Sequence, residues 1–437
     1  MSLTIANWPF LPEEQRTPEQ NERWWAECYL PTLPDVTLQG AAYSVVVSGA
    51  SGSGKSVALR ALERAVAADL LGLHYPFDYW PGQPNAPAAG FHHLGQMMAC
   101  AATAIKNLLT QHPHKLADLT PINLEFLRWL IEKYSGARAF RRWADALEHP
   151  ALLDLLGSPF VDLYPTDTSQ ADAQGQLEEL VTLSRRLGFN GVAVFVDIGE
   201  PETANNTLLE KVAALFGWLT PLQIEGFAIK AALPAQVVEQ ANLVERSRGR
   251  VTFASLRWTV ENCYEVSERY LAAATAGQLS SLQKIVSTRL LASLEEQIKE
   301  VYPLPAPQPW IKLTALLLDY YTKCGRPLTE AQYGELVCAY FARYVPLRFD
   351  RQRRGVWRGL QWIALDDQPF KFFDTLWSYR NGGDPNQALM ELFKNSKANL
   401  NTLASRLRKK IEPVPGQTIY IHNNRSQGYW LENVVEA

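Results

Sequence analysis

Apolar residues follow two periodicities along this chain, and the switches between them divide it. Tyr43-Ser44-Val45-Val46-Val47-Ser48 is a short apolar run of the kind that becomes a buried strand. Leu59, Leu62, Val66 and Leu70 then recur at helical spacing. Gly72 to Trp80 reads as a second strand closed by Pro81-Gly82, and residues 90–161 as a helical insertion without recognisable chemistry. Leu177, Leu180, Val181, Ser184 and Leu187 mark a helix stopped at Gly188, and Gly191 to Asp197 is a continuous apolar strand ending in a carboxylate. Phe227 to Leu233, before Pro234, and Arg250 to Leu256 complete the series. Continuous apolar strands separated by helices predict a parallel sheet covered on both faces.

Beyond Trp258 the pattern turns helical, through Tyr270-Leu271 and Leu290-Leu291 to a proline-rich break at 303–309, then through Leu313 to Tyr321 and Glu330 to Tyr344. The last segment, from about Pro346, is basic and ends in a hairpin. The expected organisation is an α/β domain over 1–255, a helical subdomain over 256–345 and an α+β domain over 346–437.

Composition narrows this picture. With 437 residues, 47% of them apolar and 11% aromatic, the chain has ample material for two or three cores. It has no apolar run long enough to span a membrane and no signal-like start, so a cytoplasmic protein with no membrane partner is expected. Five scattered cysteines and histidines without ligand spacing argue against a disulfide framework or a zinc site. The net charge of −3 hides an asymmetry: Arg343 to Ala437 holds 15 Lys+Arg and 9 Asp+Glu, so the remainder is acidic. A basic tail on an acidic body suits a nucleic-acid reader; a solvated basic face is the plain alternative.

Gly49-Ala50-Ser51-Gly52-Ser53-Gly54-Lys55-Ser56 sits between the first strand and the first helix and has the spacing of a phosphate-binding P-loop. Glycines there let backbone amides converge on phosphates, and a Gly-rich surface turn is the competing reading. ATP and Mg2+ are the expected ligands. Gly49, Ser51, Gly52, Ser53, Gly54, Lys55, Ser56 and Val57 would surround the phosphates. Lys55 would neutralise the β/γ charge, while Ser56 and Asp197, the latter in the Walker B position, would hold the metal. Phosphoryl transfer also needs a group that orients water. Asp197 is followed by Ile198, and the nearest acids are Glu200 and Glu202, with Glu200 the better candidate and an exposed loop the alternative.

This order of motifs, over roughly residues 40 to 345, resembles the AAA+ and STAND classes of P-loop ATPases. The resemblance implies a helical lid subdomain, a γ-phosphate sensor at the tip of the strand after Walker B, where only Gln236 is polar, and an arginine finger acting on a neighbouring subunit. Arg246, Arg248 and Arg250 stand at that last place, with Arg248 as the candidate and three solvated arginines as the bland reading. The lid arginine of such proteins is absent from Pro309-Trp310-Ile311-Lys312-Leu313, which points to slow hydrolysis or binding alone.

From Trp362 onward the sequence resembles the winged helix of response-regulator transcription factors. Leu400, Leu403, Leu407 and Ile411 form a core stripe in 399–412, which leaves Asn399, Thr402, Arg406 and Lys409 on a polar face with Asn401, Ser405 and Arg408 nearby. The resemblance implies binding of double-stranded DNA, with this helix in the major groove and Arg425 of a wing over His422 to Gln427 in the minor groove; docking to protein is the alternative. Arg348, Arg351, Arg353, Arg354 and Arg358 precede it, as phosphate trackers or a solvated junction. The functional expectation is an ATP-switched DNA-binding regulator, with a STAND-type signalling ATPase and a kinase as rivals. Its partners would be ATP/ADP, duplex DNA and a second copy of the chain or another protein.

Overall fold

The computed structural model describes residues 5–31, 43–77, 86–164, 170–199, 206–219, 224–393, 396–424 and 428–437. The chain forms two compact units, Pro31–Arg257 and Met1–Leu30 together with Trp258–Ala437. Helix α1 (Pro18–Glu27) therefore belongs with the C-terminal half and not with the α/β domain assigned from sequence.

The unit 31–257 is built on five parallel strands, β1 (Ser44–Gly49), β2 (Leu70–Tyr75), β3 (Gly191–Asp197), β4 (Phe227–Pro234) and β5 (Val251–Ser255), in the order β2-β3-β4-β1-β5. Alternate residues face opposite sides. Val45, Val47, Phe195 and Ala232 pack under α2 (Lys55–Val66), while Val46, Val194, Val196 and Ala231 join the larger core on the other face. Leu70, assigned from sequence to the α2 stripe, is instead the first residue of β2. The helix ends at Val66, a turn returns the Asp69 amide to the Val66 carbonyl, and Leu70 meets Leu59 and Val66 from the strand side. Accordingly, β2 runs from Leu70 to Tyr75, and the sequence reading of a strand to Trp80 extends beyond the described residues.

The second face is covered by α3 (Ala86–Gln111), with α4 (Pro121–Ser135), α5 (Ala137–Leu147) and α6 (Pro150–Gly157) beyond it, and by α7 (Gln170–Arg186) and α8 (Asn206–Leu219). Leu94, Met97, Met98, Ala101, Ala102, Ile105 and Leu109 of α3 are buried at helical spacing, and α3 lies along β2 and α8. The insertion is thus a layer of the core. Two short helices, α9 (Ala235–Gln240) and α10 (Leu243–Arg246), connect β4 to β5.

In the other unit, α11 (Val260–Ala274), α12 (Thr288–Val301), α13 (Pro307–Cys324) and α14 (Glu330–Tyr344) lead into β6 (Leu347–Asp350), β7 (Gly355–Arg358) and β8 (Gln361–Ala364). Helices α15 (Asp367–Ser378), α16 (Pro385–Leu392) and α17 (Lys397–Ile411) follow, then the hairpin β9 (Ile421–Asn424) and β10 (Gly428–Leu431). Finally, β11 (Val434–Glu436) adds parallel to β6 in the sheet β11-β6-β7-β8. One hydrophobic core runs from α11 to the hairpin, so the expected boundary at 345 is no gap. Tyr420 donates to the Val345 carbonyl at 2.7 Å, Leu360 to the Val301 carbonyl at 2.9 Å, and any Cβ on Gly359 would collide with Val301. The N-terminal segment is tied to α11 by Trp24 Nε1 on the Tyr270 hydroxyl at 3.0 Å, Ala6 N on the Ala274 carbonyl at 2.8 Å and Arg269 on the Tyr29 carbonyl at 2.8 Å. No helix among the described residues is long and apolar enough to cross a membrane.

His93, on α3, is fully buried between the Tyr75 hydroxyl, 2.7 Å from Nδ1, and the Lys211 carbonyl, 2.9 Å from Nε2. A carbonyl only accepts, so Nε2 carries the proton and Nδ1 accepts from Tyr75. Burial pushes the imidazole down from 6.5 to about 4. The unfolded chain then binds more protons between those values, so this stabilisation is complete above about pH 6.5 and is lost as the pH falls towards 4. The shift corresponds to about 3 kcal/mol. Protection factors of the α3 amides, taken against the intrinsic exchange rate at each pH, should fall about a hundredfold across that window, and His93→Gln, which cannot titrate, should flatten that dependence. An acid limb unchanged in that variant would assign the effect to carboxylates instead.

Candidate nucleotide site and C-terminal helix

The loop after β1 owes its shape to backbone that side chains would obstruct. Gly52 and Gly54 have φ of 71° and 82°, and a Cβ on Gly49 would stand 2.5 Å from Ser53 Oγ and 3.3 Å from Leu256 Cβ. Gly54 is the N-cap of α2, and the first intrahelical bond runs from the Ala58 amide to the Gly54 carbonyl. The amides of Lys55, Ser56 and Val57 precede that bond, in the first turn at the positive end of the helix. Lys55 is buried, its Nζ donating to the Ala50 carbonyl at 3.0 Å, so the ammonium is folded over the loop. Ser53 is buried too, its amide bonded to the Ala50 carbonyl at 3.2 Å. Ser51, Ser56 and Val57 are half-buried at the rim. This donor set, the first-turn amides of a helix with one ammonium, fits a polyphosphate.

Asp197 closes β3, exposed, with Oδ1 accepting from the Gly199 amide at 3.0 Å. It pairs in register with Ala232 of β4, which pairs with Val47 of β1. Asp197 therefore stands level with Val47 two strands away, about 10 Å across the sheet, on the same edge as the loop. A P-loop after β1, a carboxylate ending β3 and the parallel order β2-β3-β4-β1-β5 make this the α/β fold of P-loop NTPases. Glu200 and Glu202 lie outside the described residues, so the water-orienting role has no structural counterpart here. Gln236 is exposed in α9, just past the end of β4.

Arg246, Arg248 and Arg250 are all exposed, around a turn in which Arg248 and Gly249 have φ of 50° and 74°. Val251, next in the chain, pairs with Ser44, five residues before Gly49. The arginines thus sit at the sheet edge opposite the loop, about 16 Å away along β1.

In the C-terminal unit, α17 buries Leu400, Leu403, Ala404, Leu407 and Ile411 and exposes Asn399, Asn401, Thr402, Ser405, Arg406 and Lys409. Arg406 and Lys409 form no ion pair with the described residues, whereas Arg408 is half-buried and donates to the Ile421 carbonyl at 2.9 Å. Arg425 lies outside the described residues. Sequence reasoning missed Glu412. This buried carboxylate at the end of α17 accepts from the amides of Ile419, Tyr420 and Ile421 at 2.9, 3.0 and 3.0 Å, pinning the helix to the hairpin.

The arginines before α15 have partners within the domain, with Arg351, Arg353 and Arg354 exposed and Arg358 buried. Arg351 meets Asp374 at 2.5 Å, Arg354 meets Asp367 at 2.7 Å, Arg353 meets Asp350 at 3.8 Å, and Arg348 donates to the Gly359 carbonyl at 3.1 Å. Arg358 is buried against the Ile411 carbonyl at 3.1 Å and Gln361 at 2.8 Å.

No protein-family model matches the chain, and no curated protein matches it. Two solved structures of RuvB from Thermotoga maritima align with it, one a mutant and one described as a Holliday junction branch migration motor. Each shares 13% identity at a TM-score of 0.30, covering 96% and 95% of this chain and 93% and 92% of theirs. At that superposition the likeness carries no weight, and the fold rests on the strand order and loop geometry above.

Lys55→Ala should weaken ATP binding by about a hundredfold, from loss of charged hydrogen bonds worth about 1.5–3 kcal/mol each, and leave thermal unfolding nearly unchanged. Calorimetric titration that finds equal affinity in the variant would remove the loop from nucleotide binding.

Proposed function

We propose that the chain is an AAA+-type ATPase that binds ATP with Mg2+, hydrolyses it slowly, and acts as a nucleotide-switched DNA-binding regulator. The observation that carries this reading is the glycine-shaped amide cradle at the end of β1, with Asp197 on the same sheet edge. When bound, the metal supplies charge neutralisation to the β- and γ-phosphates. Ser56 and Asp197 hold it, Lys55 compensates the terminal phosphate, and Glu200 orients water. The residue after Asp197 is Ile198, so no carboxylate directly adjoins the metal-holding one, which favours slow turnover. Placed at the far edge from its own cradle, Arg248 serves a neighbouring copy of the chain, so that hydrolysis depends on assembly.

The segment from β6 to β11 is read as a winged helix that binds duplex DNA, with α17 in the major groove. Support comes from the three helices followed by a hairpin, and from the exposed Arg406 and Lys409, which form no ion pair among the described residues. A STAND-type protein-docking role is the rival reading.

Arg248→Ala should lower ATP turnover at least about tenfold, as loss of a transition-state contact does, and mixing it with Lys55→Ala should restore activity, because each variant supplies what the other lacks. Turnover equal to wild type in Arg248→Ala would end the trans reading. Independently, Arg406→Ala should weaken duplex binding by about 1–3 kcal/mol in fluorescence anisotropy, and wild-type affinity should fall steeply with salt. No loss at low salt would shift the choice to docking.

A further inference from the structure

Besides Arg408 and Glu412, which bond the hairpin backbone, a hydrogen bond between two side chains links α17 to the hairpin. Tyr429 of β10 donates its hydroxyl hydrogen to Asn401 Oδ1 of α17 at 2.7 Å. The tyrosine ring is buried, edge-on to Phe372 at 5.4 Å, with the Arg408 guanidinium 5.8 Å above it. Asn423 is its cross-strand partner in β9 and faces the same oxygen. Burial raises the Tyr429 pKa, while Arg408 and Asn423 oppose that, and the hydroxyl keeps its proton near neutral pH. Asn401 is itself exposed on the polar face of α17, one turn past its start.

This bridge changes what the asparagine can read. An unrestrained asparagine on a helix in the major groove is the bidentate partner of adenine, accepting from N6 through Oδ1 and donating to N7 through Nδ2. The Tyr429 hydroxyl takes one of the two lone pairs of Asn401 Oδ1 and turns that oxygen towards the hairpin, which leaves the amide nitrogen as the group to face outward. Its natural counterparts are acceptors: purine N7, guanine O6 or thymine O4. Granting duplex binding by α17, on which this rests, we propose that Asn401 is a specificity-determining residue that donates to an acceptor on a base edge, with Tyr429 as the positioning residue that fixes its orientation. The ring of Tyr429 belongs to the core; its hydroxyl serves recognition.

The test is selection of duplexes from a random-sequence pool by the full chain, with wild type, Tyr429→Phe, Asn401→Ala and the double variant, followed by affinity measurements over a range of salt. Tyr429→Phe keeps the ring against Phe372 and should melt as wild type does. Both single variants should lose about 5- to 100-fold discrimination at one shared base-pair position, the range expected for one base contact. Non-specific affinity and its salt slope should not change. The double variant should be no worse than Asn401→Ala, because the hydroxyl acts only through that amide. A base preference unchanged in Tyr429→Phe, or additive losses in the double variant, would overturn the assignment. Wild type that binds duplex without any base preference sinks the role of Asn401 alone, whereas wild type without salt-dependent duplex binding sinks the reading of α17 with it.

Discussion

A parallel sheet has no side that can face water, and the unit 31–257 is organised by that constraint. Each strand must be apolar on both faces, and each connection must cross over through a helix that covers one of them. The crossovers bring the ends of all strands to one edge. Gly49, Asp197 and Pro234 meet there because β1, β3 and β4 run the same way, not because any of them attracts another. The place of the candidate nucleotide site is in this sense a consequence of how the sheet is covered. The same geometry assigns Arg246, Arg248 and Arg250 to the opposite edge, ahead of β5, and so separates them from the loop after β1.

The C-terminal unit is governed instead by buried polar pairing. Glu412 satisfies three successive amides, and Arg358 satisfies the last carbonyl region of α17 from the neighbouring sheet. Removing either would strand buried donors or acceptors, which costs about 1–3 kcal/mol for each group. These pins hold α17, the hairpin and the small sheet in one arrangement. A count of basic residues is a poor guide to a binding face: the five arginines from Arg348 to Arg358 have partners within the domain, three of them while exposed, whereas the exposed Arg406 and Lys409 form no ion pair among the described residues.

Legibility followed chain locality. The shape of the loop after β1 could be read because its parts are eight consecutive residues whose glycines set the backbone. Asp197 could be read because a carboxylate cannot continue a strand buried on both faces, so its place in the chain marks where that strand reaches the sheet edge. The stripe of α17 was legible from helical spacing, and the structure buries the same leucines. By contrast, Leu70 continued the helical spacing of α2 by coincidence, and only the turn at Ala67 to Asp69 transfers it to a strand. The attachment of the first thirty residues to α11 depends on Trp24 and Tyr270, 246 positions apart. No local pattern encodes it.

By itself, the amino-acid order determined the alternation of strands and helices, the cradle, the aspartate and the amphipathic helix near the end, since each depends on neighbours within a few positions. Tertiary structure decided which sheet edge each group occupies, that α3 is a core layer, that the upstream arginines find partners within the domain, and that Asn401 is held by Tyr429. Those outcomes depend on burial and on partners distant in the chain, where the free energy of pairing is settled by packing and not by local propensity.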